Sequence, residues 1–203
     1  MAALIIAGEA IFLLPFIVMR VFKPIIRDVF RISDLEIGEA QALYGLTALL
    51  SYFFGGFIAD KWEPRKLLSL SLLLTSLGGV VMISIPSITT FKILYALWGV
   101  STIFLFWSAL IKATRQWGNQ NNQGLSFGLL DGGRGLFAAC IALTGAALLS
   151  YFFPEEVIEI TYSDKKKTLQ YILITITSTV FLIGAFVWFT LSKPIEDPKN
   201  KST

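Results

Sequence analysis

Four ionisable side chains stand inside stretches that are otherwise apolar enough for a membrane: Glu9, Arg20, Asp131 and Arg134. A charge at that depth costs at least about 2.5 kcal/mol, so such residues face protein or water and mark candidate paths for solutes and ions. Arginine offers a planar fork of donors that grips a phosphate or carboxylate through two bonds at once. Glu9 and Asp131 are the candidate proton carriers. Asp131 and Arg134 are three residues apart in Asp-Gly-Gly-Arg, which brings opposite charges together on one helix face. Glu9 and Arg20 are eleven residues apart, three helical turns, and so share a face. They are about 16 Å apart along the axis, too far to pair directly. Two purely structural roles compete with these: Arg20 snorkelling to the interface, and an Asp131–Arg134 pair that only holds helices.

A second charged grouping is the turn Gly-Gly-Phe-Ile-Ala-Asp-Lys-Trp-Glu-Pro-Arg-Lys, from Gly55 to Lys66. It separates an apolar run ending at Asp60 from another starting at Leu67, so the two helices lie antiparallel and adjacent. Gly55 and Gly56 allow a neighbour to come close. Asp60 is placed to accept hydrogen bonds at a nearby helix start, with Lys61, Arg65 and Lys66 at the membrane surface. That combination suits a latch that opens when helix bundles rock apart.

The elements that must position these residues follow from composition. Of the 203 residues 55% are hydrophobic and 15% charged, and the mean hydropathy is +0.69. Apolar runs of roughly 20 residues recur without strand-like alternation, which specifies an all-α membrane protein. The expected spans are about 2–29, 42–60, 67–86, 91–111, 125–153 and 169–192, forming one six-helix bundle over 1–192 with a polar tail at 193–203. Pro15 predicts a kink in the first span. Val21 to Gln41 carries mixed charge and reads as a solvated loop, as do Lys112 to Gly124 and Pro154 to Lys167, with Glu155, Glu156 and Glu159. Gly124, Gly128 and Gly132 predict a groove for close packing on the fifth helix. The aromatics Trp98, Phe104, Phe106 and Trp107 read as packing or lipid contacts.

Several chemistries are excluded. The chain has no histidine and a single cysteine, Cys140, so it holds no histidine metal site and no internal disulfide. No nucleophile constellation or paired carboxylates converge, so neither an enzyme nor a cofactor is expected. The basic residues lie in separate loops, which argues against nucleic acid. Glu9 interrupts the first apolar run, which lacks a basic start, so it does not read as a cleavable leader. Lysine and arginine divide seven to eight between the two sides and do not fix orientation.

The turn resembles the signature between helices two and three of the major facilitator superfamily: a Gly, Ala-Asp, a basic residue, a Gly and two more basic residues. Gly56, Ala59, Asp60, Lys61 and Arg65 match it. Glu63 stands where that family has Gly, and Pro64 where it has a basic residue. The Asp-x-x-x-Pro-Arg form from Asp60 to Arg65 is similar to the organophosphate:phosphate antiporter branch. In that branch a first-helix arginine after aromatic residues grips substrate phosphate, as Arg20 follows Phe12 and Phe16 here. Many members carry an arginine four residues before a helix-four Gly; Tyr95 occupies that place before Gly99, unlike the proton-coupled drug exporters.

The resemblance implies the N-terminal half of a secondary transporter, an integral protein of the plasma (inner) membrane with both ends cytoplasmic. A small polar, in one version anionic, solute binds between two six-helix bundles that alternate access. Glu9, Arg20, Asp131 and Arg134 are the expected solute-binding residues; Gly56, Asp60, Lys61 and Arg65 are the expected gate. A second bundle, from another copy or a separate chain, completes such a transporter. The competing expectation is a truncated, non-transporting fragment or membrane scaffold that associates with another bundle.

Overall fold

The computed structural model describes residues 1–118, 122–152 and 161–191, and among these every regular element is helical. Helix α1 (Ala2–Ala10) leads through a π-helical segment, Leu13–Ile17, into α2 (Val18–Phe30). Then come α3 (Asp34–Lys61), α4 (Pro64–Ile83) and α5 (Ile88–Gly99). The last continues through a second π-helical segment, Val100–Trp107, into α6 (Ser108–Gly118). Helices α7 (Gln123–Phe152) and α8 (Tyr162–Thr190) complete the bundle. Among the described residues five rods are long and apolar enough to cross a membrane, and a sixth if α1 and α2, bent by 40°, count as one span. The expected tail at 193–203, the span ends at 153 and 192, and Glu155, Glu156 and Glu159 lie outside the described residues.

Local chemistry accounts for the breaks. Pro15 has no N–H to donate, and the π-helical turn around it absorbs the missing bond. A further break falls at Phe22 (φ −108°, ψ 19°), two residues before Pro24. Arg31 then ends α2 in the left-handed region, φ 56°. Pro64 opens α4 at its first position, where the missing N–H has no intrahelical partner in any case.

The segment expected as a solvated loop, Val21 to Gln41, is mostly helix. Ser33 and Glu36 form a capping box: the Ser33 N–H donates to the Glu36 carboxylate at 2.8 Å, and the Glu36 N–H donates to the Ser33 hydroxyl at 3.3 Å. This starts α3 at Asp34 rather than Ala42. The charges there pair across helices instead of facing water alone: Lys23 with Asp34 at 2.9 Å and Asp28 with Lys165 at 2.6 Å. Likewise Lys112 to Gly118 is helical, as are Lys165 to Lys167 in the first turns of α8.

The core sits around α4, which packs against α8, against α5 with its π-helical continuation, and against α1 with its own. Ile11, Leu14, Leu72, Met82, Tyr95 and Trp98 are fully buried or nearly so. Trp98 and Phe106 therefore pack inside rather than against lipid. A polar seam ties α3, α4 and the second π segment together. The Tyr44 and Thr102 hydroxyls meet at 2.7 Å, those of Thr75 and Ser101 at 3.0 Å, and the Trp98 indole donates to the Thr75 carbonyl at 3.2 Å. Such bonds hold helices where the hydrophobic effect gives no preference for protein over lipid.

The groove expected from Gly124, Gly128 and Gly132 is absent: a side-chain carbon at any of them would meet nothing within 4 Å. These glycines lie on an open face, and the close approaches of α7 fall at Gly133 against Ile5 and Gly145 against Val21. The tightest helix crossing with backbone on both sides is at Gly99, where an added Cβ would stand 2.5 Å from the Tyr44 carbonyl oxygen. Gly56 has open space. Gly99→Ala is expected to destabilise by about 1–3 kcal/mol through overpacking. Gly56→Ala is expected to hold or gain up to about 1 kcal/mol from helix propensity. Thermal unfolding of the two variants in the same detergent checks the contrast.

Candidate functional site

Arg134 projects from α7 across to α1. Its Nε donates to the Gly8 carbonyl oxygen at 3.1 Å. Nη2 stands 3.7 Å from the Glu9 carboxylate and Nη1 3.6 Å from that of Asp131. Phe12 and Trp107 flank the guanidinium, with ring centroids 5.9 and 5.3 Å from Cζ, within cation–π range. The approach depends on Gly8, where a Cβ would lie 2.8 Å from Arg134 Cδ. Phe12 immediately precedes the first π-helical segment and Trp107 ends the second. Helical irregularities of this kind re-aim side chains and recur at functional sites.

The two carboxylates differ in environment. The Glu9 side chain keeps 10% of its exposure and that of Arg134 17%, whereas that of Asp131 keeps 71%. Glu9 is therefore a buried carboxylate compensated by a mostly buried guanidinium, with Asp131 on the wet side of the same group. The Asp131–Arg134 neighbourhood follows from their spacing. The contact of Arg134 with α1 does not: Gly8 and Arg134 are 126 residues apart, and no local pattern links them.

Arg20 lies elsewhere. It is exposed while Glu9 is buried, so the shared face expected from their spacing is interrupted by the π segment and the bend between them. Arg20 lines a separate cavity of about 210 Å³ with Phe16, Met19, Lys23, Ile37 and Gln41.

At the α3–α4 turn the residues divide differently from expectation. Asp60 is exposed, and its carboxylate has no hydrogen bond or ion pair among the described residues. It does not cap a helix start. The end of α3 is capped instead by Lys112 of α6, whose ammonium donates to the carbonyls of Ala59 at 2.6 Å, Asp60 at 3.2 Å and Trp62 at 3.5 Å. A cation on the last carbonyls of a helix satisfies free acceptors and opposes the helix dipole. The close approach at the turn is made by Gly55, 2.9 Å from Ser108 Oγ through an added Cβ, and not by Gly56. Lys61 is exposed over the Phe57 ring at 3.9 Å. Arg65 leans inward, with Cζ 4.8 Å from the Trp188 ring and its guanidinium 3.7 Å from Glu63.

Lys112→Met is expected to destabilise the bundle by about 1 kcal/mol through loss of this cap. Lys61→Met, which removes an exposed charge of the same turn, is expected to leave the midpoint of thermal unfolding unchanged. Equal midpoints for the two variants would show that the cap contributes nothing.

Residues 4–203 match the sequence profile of the Major Facilitator Superfamily. The inner membrane protein YqcE of Escherichia coli K12 is 28% identical over 160 residues, covering 79% of this chain and 36% of that protein. The inner membrane protein YihN of the same organism is 28% identical over 149 residues, covering 73% and 35%. The uncharacterized MG294 homolog of Mycoplasma pneumoniae is 28% identical over 118 residues, covering 52% and 24%. The chain thus spans about a third of the length of the two Escherichia coli relatives. No solved structure matches. With long apolar helices throughout and a profile match over almost its whole length, this multi-pass membrane chain belongs to the Major Facilitator Superfamily, a family of transporters and not of enzymes.

Proposed function

We propose that this chain is the N-terminal half of a secondary transporter that moves a small polar solute across the membrane by alternating access. A second six-helix bundle completes it, and the solute binds between the two. The observation that carries this reading is the Glu9–Arg134–Asp131 group, charged chemistry held at the junction of α1 and α7 and opening on one side to an uncovered face. Of the long apolar stretches that of α7 is the least enclosed, with 6% of it buried, against 56% for α4. In lipid alone such a face, carrying Asp131, would be unstable. Beside a second bundle it lines a polar cavity.

Gly56, Asp60, Lys61 and Arg65 form the gate in this reading. Gly56 and the Asp60 carboxylate stand open, which suits contact with a partner bundle that is made in one state and broken in the other. In this reading the turn and both termini face the cytoplasm. The names of the two Escherichia coli relatives support an inner-membrane location. Arg20 extends the solute path, and the Asp60-to-Arg65 pattern favours the organophosphate:phosphate antiporter branch within the family.

Uptake into proteoliposomes by the chain together with its companion half tests the assignment. Arg134→Ala is expected to lower solute uptake at least about 100-fold, the loss of a desolvated charged contact. Arg20→Lys keeps the charge and loses the fork, so it is expected to abolish exchange of a phosphate ester. Normal exchange by Arg20→Lys would sink the antiporter assignment. Stable co-assembly without transport of any solute would favour a scaffold instead.

A further inference from the structure

We propose that Arg134 is the receptor for a small oxyanion and that Glu9 is its resting counter-ion, so that each anion is taken up with one proton. This rests on the transporter reading above but not on its antiporter branch, and gives the site a substrate class and a coupling ion.

Among the described residues the guanidinium is hydrogen-bonded through one nitrogen only. Nε is committed to the Gly8 carbonyl, while Nη1 and Nη2 stand 3.6 and 3.7 Å from the two carboxylates. Those distances hold an ion pair but exceed the 2.7–3.2 Å of an N–H···O bond. Among the described residues the outer edge of the fork is thus charged, oriented and without hydrogen bonds, the arrangement that a carboxylate or phosphate meets with two parallel bonds. Gly8, Phe12 and Trp107 fix the guanidinium before any ligand arrives, which lowers the ordering cost of binding.

Glu9 depends on the same guanidinium. Helices α4, α6, α7 and α8 pack against α1. Helix α7 contributes Arg134 and Asp131. On α4, Arg65 and Lys66 are held beside Glu63 at the turn, and on α6 Lys112 caps α3 while Arg115 is exposed in the last turn. The charges of α8 stand in its first turns, where Lys165 pairs with Asp28. Arg134 is the cation that stands at ion-pair distance from Glu9. An oxyanion that engages Nη1 and Nη2 leaves two anions sharing one guanidinium, with Glu9 enclosed. A proton from the aqueous side, bound to a Glu9 carboxylate oxygen as a neutral carboxyl, removes that conflict. For a monovalent anion such as lactate the charge of the site is then the same before and after: one negative charge enters, and Glu9 becomes neutral. Asp131 remains hydrated and charged throughout.

The experiment measures anion affinity and proton uptake of the chain co-assembled with its companion half in nanodiscs between about pH 6 and 8, a range in which neither probe, lactate or sulfate, titrates. The expected wild-type result is about one proton taken up per anion, with Kd weakening about tenfold per pH unit while the free Glu9 is ionised. Tighter lactate or tighter sulfate binding distinguishes a carboxylate site from a tetrahedral oxyanion site. Glu9→Gln is expected to bind without proton uptake and with a flat pH profile, and Glu9→Asp to retain the slope. Arg134→Lys is expected to weaken both probes at least about tenfold. Failure of both anions to bind, binding without proton uptake by the wild type, or a pH slope retained by correctly folded Glu9→Gln overturns the proposal. Transport of a neutral solute by Glu9→Gln at the wild-type rate overturns it too, yet leaves the transporter reading intact.

Discussion

A carboxylate enclosed in a membrane bundle persists only where a cation compensates it, and that requirement fixes how α1 and α7 meet. Glu9 is the enclosed carboxylate and Arg134 the cation, set 3.7 Å away from a helix remote in sequence. The bond from Arg134 Nε to the Gly8 carbonyl adds a directional tie to a non-directional charge attraction. Removing either partner would strand the other, which is worse than having neither. The pair is therefore a constraint on helix placement before it is anything else.

The rest of the bundle makes room for that constraint. Two π-helical segments, one in each of the spans beside Arg134, widen the helix locally and turn Phe12 and Trp107 towards the guanidinium. A π turn leaves backbone acceptors imperfectly placed, and the second segment is served by side chains: the Ser71 hydroxyl bonds to the Ser101 carbonyl, and Thr102 to that of Trp98. The polar seam that joins α3 and α4 to this segment thus also stabilises an irregular helix. Residues that look like incidental serines and threonines in an apolar run hold the geometry that the charged group needs.

Much of the architecture was legible because lipid leaves few choices. Length and apolarity gave the spans, Pro15 marked the break in the first one, and the Gly55-to-Lys66 turn gave the family. The missed boundaries share a physical cause: hydropathy reports where lipid can lie, not where the helix stops. Helices α3 and α8 begin in charged water-facing turns, and α6 ends in one. Ser33 and Glu36 carried a legible capping signal inside a stretch dominated by charge. The site was half legible. Asp131 and Arg134 are local neighbours, but Arg134 with Glu9, and Lys112 with the end of α3, arise from packing between distant segments. The glycines at spacing four suggested close contact on the wrong face, since spacing defines a stripe and not what covers it.

That stripe bears on how the bundle divides its surroundings. Helix α3 exposes Leu46, Leu49, Leu50, Phe53, Phe54 and Phe57, a surface that lipid or an apolar partner satisfies equally. Helix α7 exposes Asp131 about 12 Å from its start, together with Gly124, Gly128 and Gly132 and the leucines Leu125, Leu129 and Leu136. Hydrocarbon cannot solvate the Asp131 carboxylate, and bulk water gains nothing from the leucines. Only a boundary that is part apolar and part water satisfies both. The wet part has to reach Asp131, and through it the outer edge of the Arg134 fork, while the inner edge stays closed by Gly8 and Glu9. One guanidinium therefore separates an enclosed carboxylate from a hydrated one, and any charge that moves across that boundary must alter the balance between them.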